Sequence, residues 1–387
     1  MIGLLFWASV ALVTYTYFGY PVILTMIAAV AGRERTYPPS TPTVTILIAA
    51  HNEEAVIAGK IESTLALDYP RDRLEVIVAN DGSDDDTAAI VGRYTARGLM
   101  LVDQPRRQGK ISAINRAMKQ ATGEIVLFSD ANTMLRRDAL AEMVRPFADP
   151  AVGAVAGRKA MVGADGLALA VTTYWRYESH LRRMETRLGC TVAADGEIFA
   201  MRRHLFAPPP GGVINDDQWL ATEVVRRGHR LIYRPEAVSE EAVPELAADE
   251  AERRARMVAG QYQASALRRL PWRHPLALWM LVSHKLLRPL VPFGMIGALG
   301  AALAALVVSP DGGIAALGGR WALVAVAAQA AFYALAFFGK SLPGRLGTVA
   351  YVPRFLVDSN LAALRGLWRH LRGSQPTTWR QVARSGS

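Results

Sequence analysis

Thr43-Val44-Thr45-Ile46-Leu47-Ile48-Ala49-Ala50 runs straight into His51-Asn52-Glu53-Glu54, and the fold is decided at that junction. A half-exposed strand alternates apolar and polar residues, whereas a strand buried on both faces is apolar throughout and stops abruptly. The second pattern recurs downstream. Leu74 to Ala79, Met100 to Val102 and Ile125 to Phe128 are further short apolar runs. Helical stretches separate them, at Ala55 to Ala66, Thr87 to Ala96 and Lys110 to Gln120. Strands alternating with helices predict a buried, mostly parallel sheet of the Rossmann-like α/β class, spanning residues 43–263.

In such sheets ligands bind beyond the carboxyl ends of the strands, so the residues behind each strand carry the chemistry. They are His51-Asn52-Glu53-Glu54, Asn80-Asp81-Gly82-Ser83, Gln104-Pro105-Arg106-Arg107-Gln108-Gly109-Lys110 and Asp130-Ala131-Asn132. Four polar strand ends in succession suggest a nucleoside diphosphate. Glu53 and Asp81 are acceptors suited to a base or ribose. Gly109 lets the backbone approach a phosphate, and Lys110 brings charge to a helix start. Asp130 suits a ribose or a divalent cation, and Asn132 adds a neutral oxygen, the kind of ligand a hard cation takes. Each signal alone is weak, because Asp and Ser also cap helices and Asp-x-Asn is a common turn. Asp84, Asp85 and Asp86 read as caps and solvated loop.

In this order the motifs resemble the family 2 glycosyltransferases of the GT-A fold. They are His-Asn-Glu-Glu at 51, Asn-Asp-Gly-Ser at 80, Gln-Gly-Lys at 108, Ser-Asp-Ala-Asn at 129, Asp195-Gly196 and Asp216-Asp217. The flanking apolar segments resemble the membrane-integrated branch, with the cellulose, chitin and hyaluronan synthases and related bacterial enzymes. The resemblance implies that Glu53, Asp81, Lys110, Asp130 and Arg256 bind the nucleotide, usually uridine in that branch. It implies Asp130 and Asn132 at a Mg2+ or Mn2+ ion, Asn132 standing where the family often has a second Asp. Asp195, Gly196 and Asp216 are implied at the acceptor. Asp217 is implied as the general base, a role suited to a carboxylate near a poorly nucleophilic hydroxyl. Asp216 reads equally as a helix cap. Arg253, Arg256 and Met257 fall where processive members carry Gln, Arg and Trp, and the lost Trp speaks against processive synthesis. Tyr174, Trp175 and Tyr177 read as a sugar-stacking face or as helix core.

The remaining sequence points to a bilayer. Of the 387 residues 51% are hydrophobic, the net charge is +10, and Cys190 is the one cysteine, so no intrachain disulfide forms. Residues 2–31 carry no charge, and Arg33 and Arg35 follow. That run exceeds the roughly 20 residues a spanning helix needs and lacks the basic start of a signal peptide. It reads as a retained anchor over 1–32. Further spans are expected at 289–308 and 320–339. An interfacial helix region is expected at 264–288, and an interfacial or packed segment with a basic tail at 346–387. Eight Lys or Arg and no acid occupy 253–288, and eight with a single acid follow Phe338. The positive-inside rule then puts the N-terminus outside and the catalytic domain and tail in the cytoplasm of a bacterial-type plasma membrane. Lipid and topology account for the basic clusters without nucleic acid.

The resulting expectation is an inverting transferase that moves a sugar from a nucleotide sugar, of the UDP type, to a hydroxyl of a glycan or lipid-linked acceptor. Cell-surface polysaccharide or glycolipid synthesis is the setting. So few spans leave room for an oligomer or a secretion partner. Two alternatives stand beside it: non-processive transfer of one sugar to a lipid, and a catalytically silent nucleotide-sugar-binding membrane subunit.

Overall fold

The computed structural model describes residues 1–162, 166–242, 247–266, 270–308, 313–339 and 344–373. The chain divides into two compact units. One comprises Met1–Leu24, Glu250–Tyr262 and Val282–Gln375, the other Thr25–Asp249 with Gln263–Leu281. Residues 250–262, expected at the end of the catalytic domain, therefore fall with the apolar helices.

The larger unit is built on an eight-stranded sheet. Its strands are β1 (Val44–Ala50), β2 (Leu74–Asn80), β3 (Leu99–Val102), β4 (Ile125–Asp130), β5 (Met134–Leu135), β6 (Val152–Val162), β7 (Phe199–Arg202) and β8 (Arg230–Ala242). They lie in the order β3-β2-β1-β4-β7-β6-β8-β5. The first four pair in parallel. β7 is antiparallel to both β4 and β6, while β6 and β8 are parallel. The sheet is thus mixed, of the GT-A type. All seven residues of β1 are buried, as its unbroken apolar run requires.

Register explains where the site forms. Ala50 of β1 faces Asn80 of β2, and Ala49 faces Asp130 of β4. The turns that begin at His51, Asp81 and Ala131 therefore leave the sheet along one edge. β7 runs the other way, with Phe199 opposite Phe128. Its start, not its end, lies at that edge, so the segment carrying Asp195 and Gly196 arrives there too. The edge rests on a core that includes Ile46, Ile48, Ile61, Val78, Leu127 and Ile198.

The smaller unit is helical. Among the described residues three helices are long and apolar enough to cross a membrane: Ile2–Ala31, Pro275–Val308 and Gly319–Phe338. The second joins the expected interfacial region to the expected span in one helical run. Apolar periodicity breaks at His284, Lys285 and Arg288, yet the backbone absorbs the break through a π-helical turn at Val282–Leu286 and a 3-10 turn at Arg288–Leu290. Ile2–Thr14 packs on Val291–Val308 through small residues: a Cβ at Gly297 would lie 2.7 Å from Ser9 Oγ. Close approach of this kind is how helices associate where no water drives them together. Phe18, Val30, Ile296, Val307 and Phe337 remain exposed. Residues 344–371 form one helix containing Pro353. The expected tail from 374 onward lies outside the described residues.

Gly123 shows how tightly the sheet is seated. Its N–H donates to Thr45 Oγ1 at 3.0 Å. A Cβ there would stand 2.5 Å from the Thr45 nitrogen and 2.7 Å from the Val44 carbonyl carbon. Backbone cannot yield as a side chain does. Gly123→Ala is expected to destabilise the larger unit by about 1–3 kcal/mol, the range for overpacking, read as a lower midpoint in thermal unfolding.

Candidate active site

Asp81 sits at the carboxyl end of β2 and is fully buried. Its carboxylate accepts the N–H groups of Gln108, at 2.9 Å, and Gly109, at 2.9 and 3.0 Å to its two oxygens, and the side-chain amide of Gln104. These bonds shape the 104–109 loop. Gly109, at φ +96°, ends that loop and leads into the helix Lys110–Ala117. The Asn80 to Thr87 turn is knitted to the 51–54 turn. Asn52 N–H donates to Ser83 Oγ at 2.9 Å, and Glu53 N–H to Thr87 Oγ1 at 2.8 Å. Glu53 is half-buried, and its carbonyl accepts from Val56 and Ile57. Both turns therefore hold their shape through their own polar groups.

Lys110, one-fifth exposed, reaches Asp130 with Nζ 2.5 Å from Oδ1. Burial works against the Lys110 ammonium, but Asp130, Asp216 and Asp217 together raise its pKa. Burial likewise pushes the Asp130 carboxyl up, but Lys110, Lys159 and Lys60 outweigh it and hold the carboxyl below the ordinary range. Asp130 is therefore ionised, with Oδ1 on Lys110.

Asp216 and Asp217 open the helix Asp216–Arg226, behind Asn215. Asp217 Oδ2 accepts the N–H of Gly196 at 3.1 Å, and Oδ1 that of Gln218 at 2.7 Å. Burial, then the neighbouring Asp216 charge, push the Asp217 carboxyl up to about 6. A cavity lined by Lys110, Ile114, Gly196, Phe199, Asp216 and Asp217 opens between these groups, with Phe128 and Ser129 among the other residues of its wall. The expected residues Lys110, Asp130, Gly196, Asp216 and Asp217 are thus brought together. A Cβ at Gly196 would lie 3.3 Å from Asp217 Cβ, which keeps that wall narrow.

Asp195 points elsewhere. It is clasped by the buried Arg182, with Nη2 3.0 Å from Oδ1 and Nη1 on Oδ2. Arg182 lies over the rings of Trp175 and Tyr233. Trp175 thus belongs to this charged layer, where Lys159 Nζ also lies 5.6 Å from its ring centre. Arg256 is half-buried on the helix Ala247–Ala266, in the smaller unit. Asn132 is half-buried in the turn after Asp130. Cys190 is a protonated thiol, pushed up to about 12 by burial.

Several charged groups near the site are not visible as motifs. Lys60, Lys159, Glu197 and Glu241 are all buried. Lys159 pairs with Glu197 at 2.7 Å and also with Glu241. Burial pushes Glu197 up to about 7 despite that lysine. No spacing signal announces these residues; the fold alone assembles them.

Among the described residues no three His, Cys, Asp or Glu side chains converge to hold a metal by themselves. Asp130 and Asn132 do offer hard oxygens in one turn. Such a pair fits a divalent cation that completes its shell with a ligand's phosphates, the usual mode for Mg2+.

The mixed sheet, the acid-rich edge and the lysine behind a glycine-ended loop are those of a GT-A-like fold. The glycosyl transferase family 2 model matches residues 45–207. Residues 45–207 are therefore similar to the family 2 glycosyltransferase domain. Poly-beta-1,6-N-acetyl-D-glucosamine synthase of Staphylococcus aureus is 29% identical over 210 residues, 52% of this chain and 50% of that protein. The probable glycosyltransferase YdaM of Bacillus subtilis is 29% identical over 218 residues, 53% and 51% of the two chains. The chain thus spans about half the length of these curated relatives. A mannosyltransferase from Pyrobaculum calidifontis, solved in complex with GDP-Man and Mn2+, superposes with a TM-score of 0.71 at 28% identity, over 95% of this chain and 99% of that one.

The raised Asp217 carboxyl has a consequence for stability. An acid that binds its proton more tightly when folded favours the folded state at low pH. That contribution is lost as pH rises through about 6. Asp217→Asn is therefore expected to unfold at a higher temperature than the wild type above pH 6. The gap should narrow as pH is lowered through that value, measured by thermal unfolding in detergent.

Proposed function

We propose that this chain is a membrane-anchored inverting glycosyltransferase that moves a sugar from a nucleotide diphosphate sugar to a hydroxyl acceptor at a cytoplasmic membrane face. The observation that carries the reading is the shared cavity of Asp217, held up at about 6, and Lys110, paired with Asp130. A carboxylate poised near neutrality is suited to general base work. As the acceptor oxygen bonds to the anomeric carbon, the bond from that carbon to the diphosphate oxygen breaks, and Asp217 takes the acceptor proton.

Lys110 neutralises the departing diphosphate. Glu53 and Asp81 serve the nucleotide end, Asp81 by shaping the 104–109 loop. Gly196 and Asp216 shape the acceptor side, with Asp195 held behind them by Arg182. Asp130 and Asn132 would hold a Mg2+ or Mn2+ ion together with the donor's phosphates. When bound, that ion supplies Lewis-acid stabilisation of the diphosphate. Three apolar helices with large exposed side chains support the anchor, and the arginine-rich flanks support the cytoplasmic orientation. A glycan or a lipid-linked hydroxyl is the acceptor, in polysaccharide or glycolipid synthesis.

Two donors have support. The membrane-synthase resemblance favours a UDP-sugar. The near full-length likeness to a mannosyltransferase crystallised with GDP-Man favours GDP-mannose. Detergent-purified protein, Mn2+ and a membrane lipid extract, assayed against UDP-sugars and GDP-mannose, decide between them by nucleoside diphosphate release. One donor is expected to turn over, and Asp217→Asn to lose about 10²–10⁴ of that rate. Equal release by the variant removes Asp217 as base. Binding without release by the wild type would point to a silent subunit. The rate should rise with pH to a plateau above about 6. Asp216→Asn should move that rise to lower pH, because it removes the like charge that holds Asp217 up.

A further inference from the structure

Lys60 is a lysine with no place in the chemistry assigned so far. It lies on the helix Ile57–Leu65 and is 0% exposed. Its Nζ donates to Ser129 Oγ at 2.7 Å and to the Thr133 carbonyl at 2.5 Å. Ser129 precedes Asp130-Ala131-Asn132 and Thr133 follows it. One ammonium therefore fastens the residues on both sides of the turn that carries Asp130 and Asn132. The turn has its own closures as well: Thr133 N–H and Oγ1 both donate to the Asp130 carbonyl, at 3.4 and 3.1 Å. Both are long, so the shorter bonds from Lys60 set the span.

A plain structural role is a poor account of a lysine here. Burying an ammonium is costly, and burial brings this one down to about 7, although Asp130 and Glu197 act to hold it up. A methionine would fill much the same volume without that cost. It would lose two donors, one of them serving a carbonyl inside the turn. Lys60 also sets a positive charge close enough to Asp130 to favour its ionised form. The turn is thus fixed from the core, which leaves its outer oxygens for a ligand.

We infer that Lys60 is a positioning residue that holds the Asp130-Ala131-Asn132 turn in the geometry needed to take a nucleoside diphosphate together with a divalent cation. It touches neither ligand and acts through Ser129 and Thr133. The inference rests on the donor reading above and adds to it a residue from the fold's interior.

The test measures binding, not turnover. UDP and GDP, each with and without Mn2+, are titrated calorimetrically into the full-length detergent-purified protein. The variants are Lys60→Met, Ser129→Ala and Thr64→Val. Thr64 is a buried neighbour on the same helix whose hydroxyl donates to the Lys60 carbonyl at 2.7 Å, so its loss perturbs the helix and leaves the bonds to Ser129 and Thr133 in place. Lys60→Met is expected to weaken diphosphate binding in Mn2+ by about 10- to 100-fold, the usual effect of removing a support behind metal ligands. The Mn2+-free titration should move much less. Ser129→Ala removes one of the two bonds and should shift binding the same way by a smaller factor, which keeps the test valid if Lys60→Met does not fold. Thr64→Val should leave affinity unchanged even where it lowers the unfolding midpoint. Unchanged affinity in Lys60→Met, or in Ser129→Ala should the former not fold, overturns the inference. An equal loss in Thr64→Val does so too, by showing a general effect of stability. If the wild type binds neither diphosphate, the donor reading itself falls and the inference falls with it.

Discussion

A carboxylate buried without solvent must be surrounded by donors, and Asp81 meets that demand by recruiting a loop. The amides of Gln108 and Gly109 and the side chain of Gln104 converge on it. The loop they belong to has no regular structure of its own. Its path is the one that satisfies Asp81. That path fixes where the helix Lys110–Ala117 begins, and the start of that helix fixes Lys110 over Asp130. Lys110 in turn faces the two acids that open the helix Asp216–Arg226. The cavity is thus the last step of a sequence of placements that begins at one buried charge behind β2.

The same edge of the sheet carries an alternation of sign. Lys159 lies between Glu197 and Glu241, Lys60 between Glu197 and Asp130, and Lys110 between Asp130 and the acids at 216 and 217. Lys60, Lys110, Asp130, Glu197 and Asp217 are held away from the protonation behaviour they have in water. Such groups are costly to the folded state and tend to gather where chemistry is done. The surrounding layers meet the cost with ordinary packing. β1 is buried along its whole length, and Arg202 ties β7 to the Val152 and Phe147 carbonyls.

Much of this was written in the chain. The four strands from β1 to β4 appear as uninterrupted apolar runs, because a strand covered on both sides has no polar face to betray it. The residues behind them are polar because a strand end at an open edge has nothing apolar to touch. Those two facts made Asp81, Lys110 and Asp130 readable, and the family resemblance added Asp217. What could not be read was anything that depends on strands far apart in sequence. β7 enters against the parallel set, so the meeting of Gly196 with Asp217 follows from pairing, not spacing. Lys159 and Glu241 come from strands that no local pattern made neighbours. Lys60 looks like a solvated residue on an amphipathic helix, and only the packing of Ile57–Leu65 under the 129–133 turn shows otherwise. Arg256 illustrates the limit from the other side: its motif position is legible, and the helix that bears it belongs to the other unit.

The apolar helices carry one further lesson. The first contains a π-helical turn at Tyr15–Gly19, and the Pro275–Val308 run contains another at Val282–Leu286. Tyr15 Oη and Ser283 Oγ, one from each widened turn, lie 2.7 Å apart. A π turn holds one residue more than an α turn, which rotates everything beyond it by about 100°. Both helices therefore present one set of faces before the join and a shifted set after it, and the shift falls at the same level in each. The two helices are phased to one another by paired insertions. A single-residue deletion within either turn would rotate one half of its helix against the other by about 100° and part Tyr15 from Ser283.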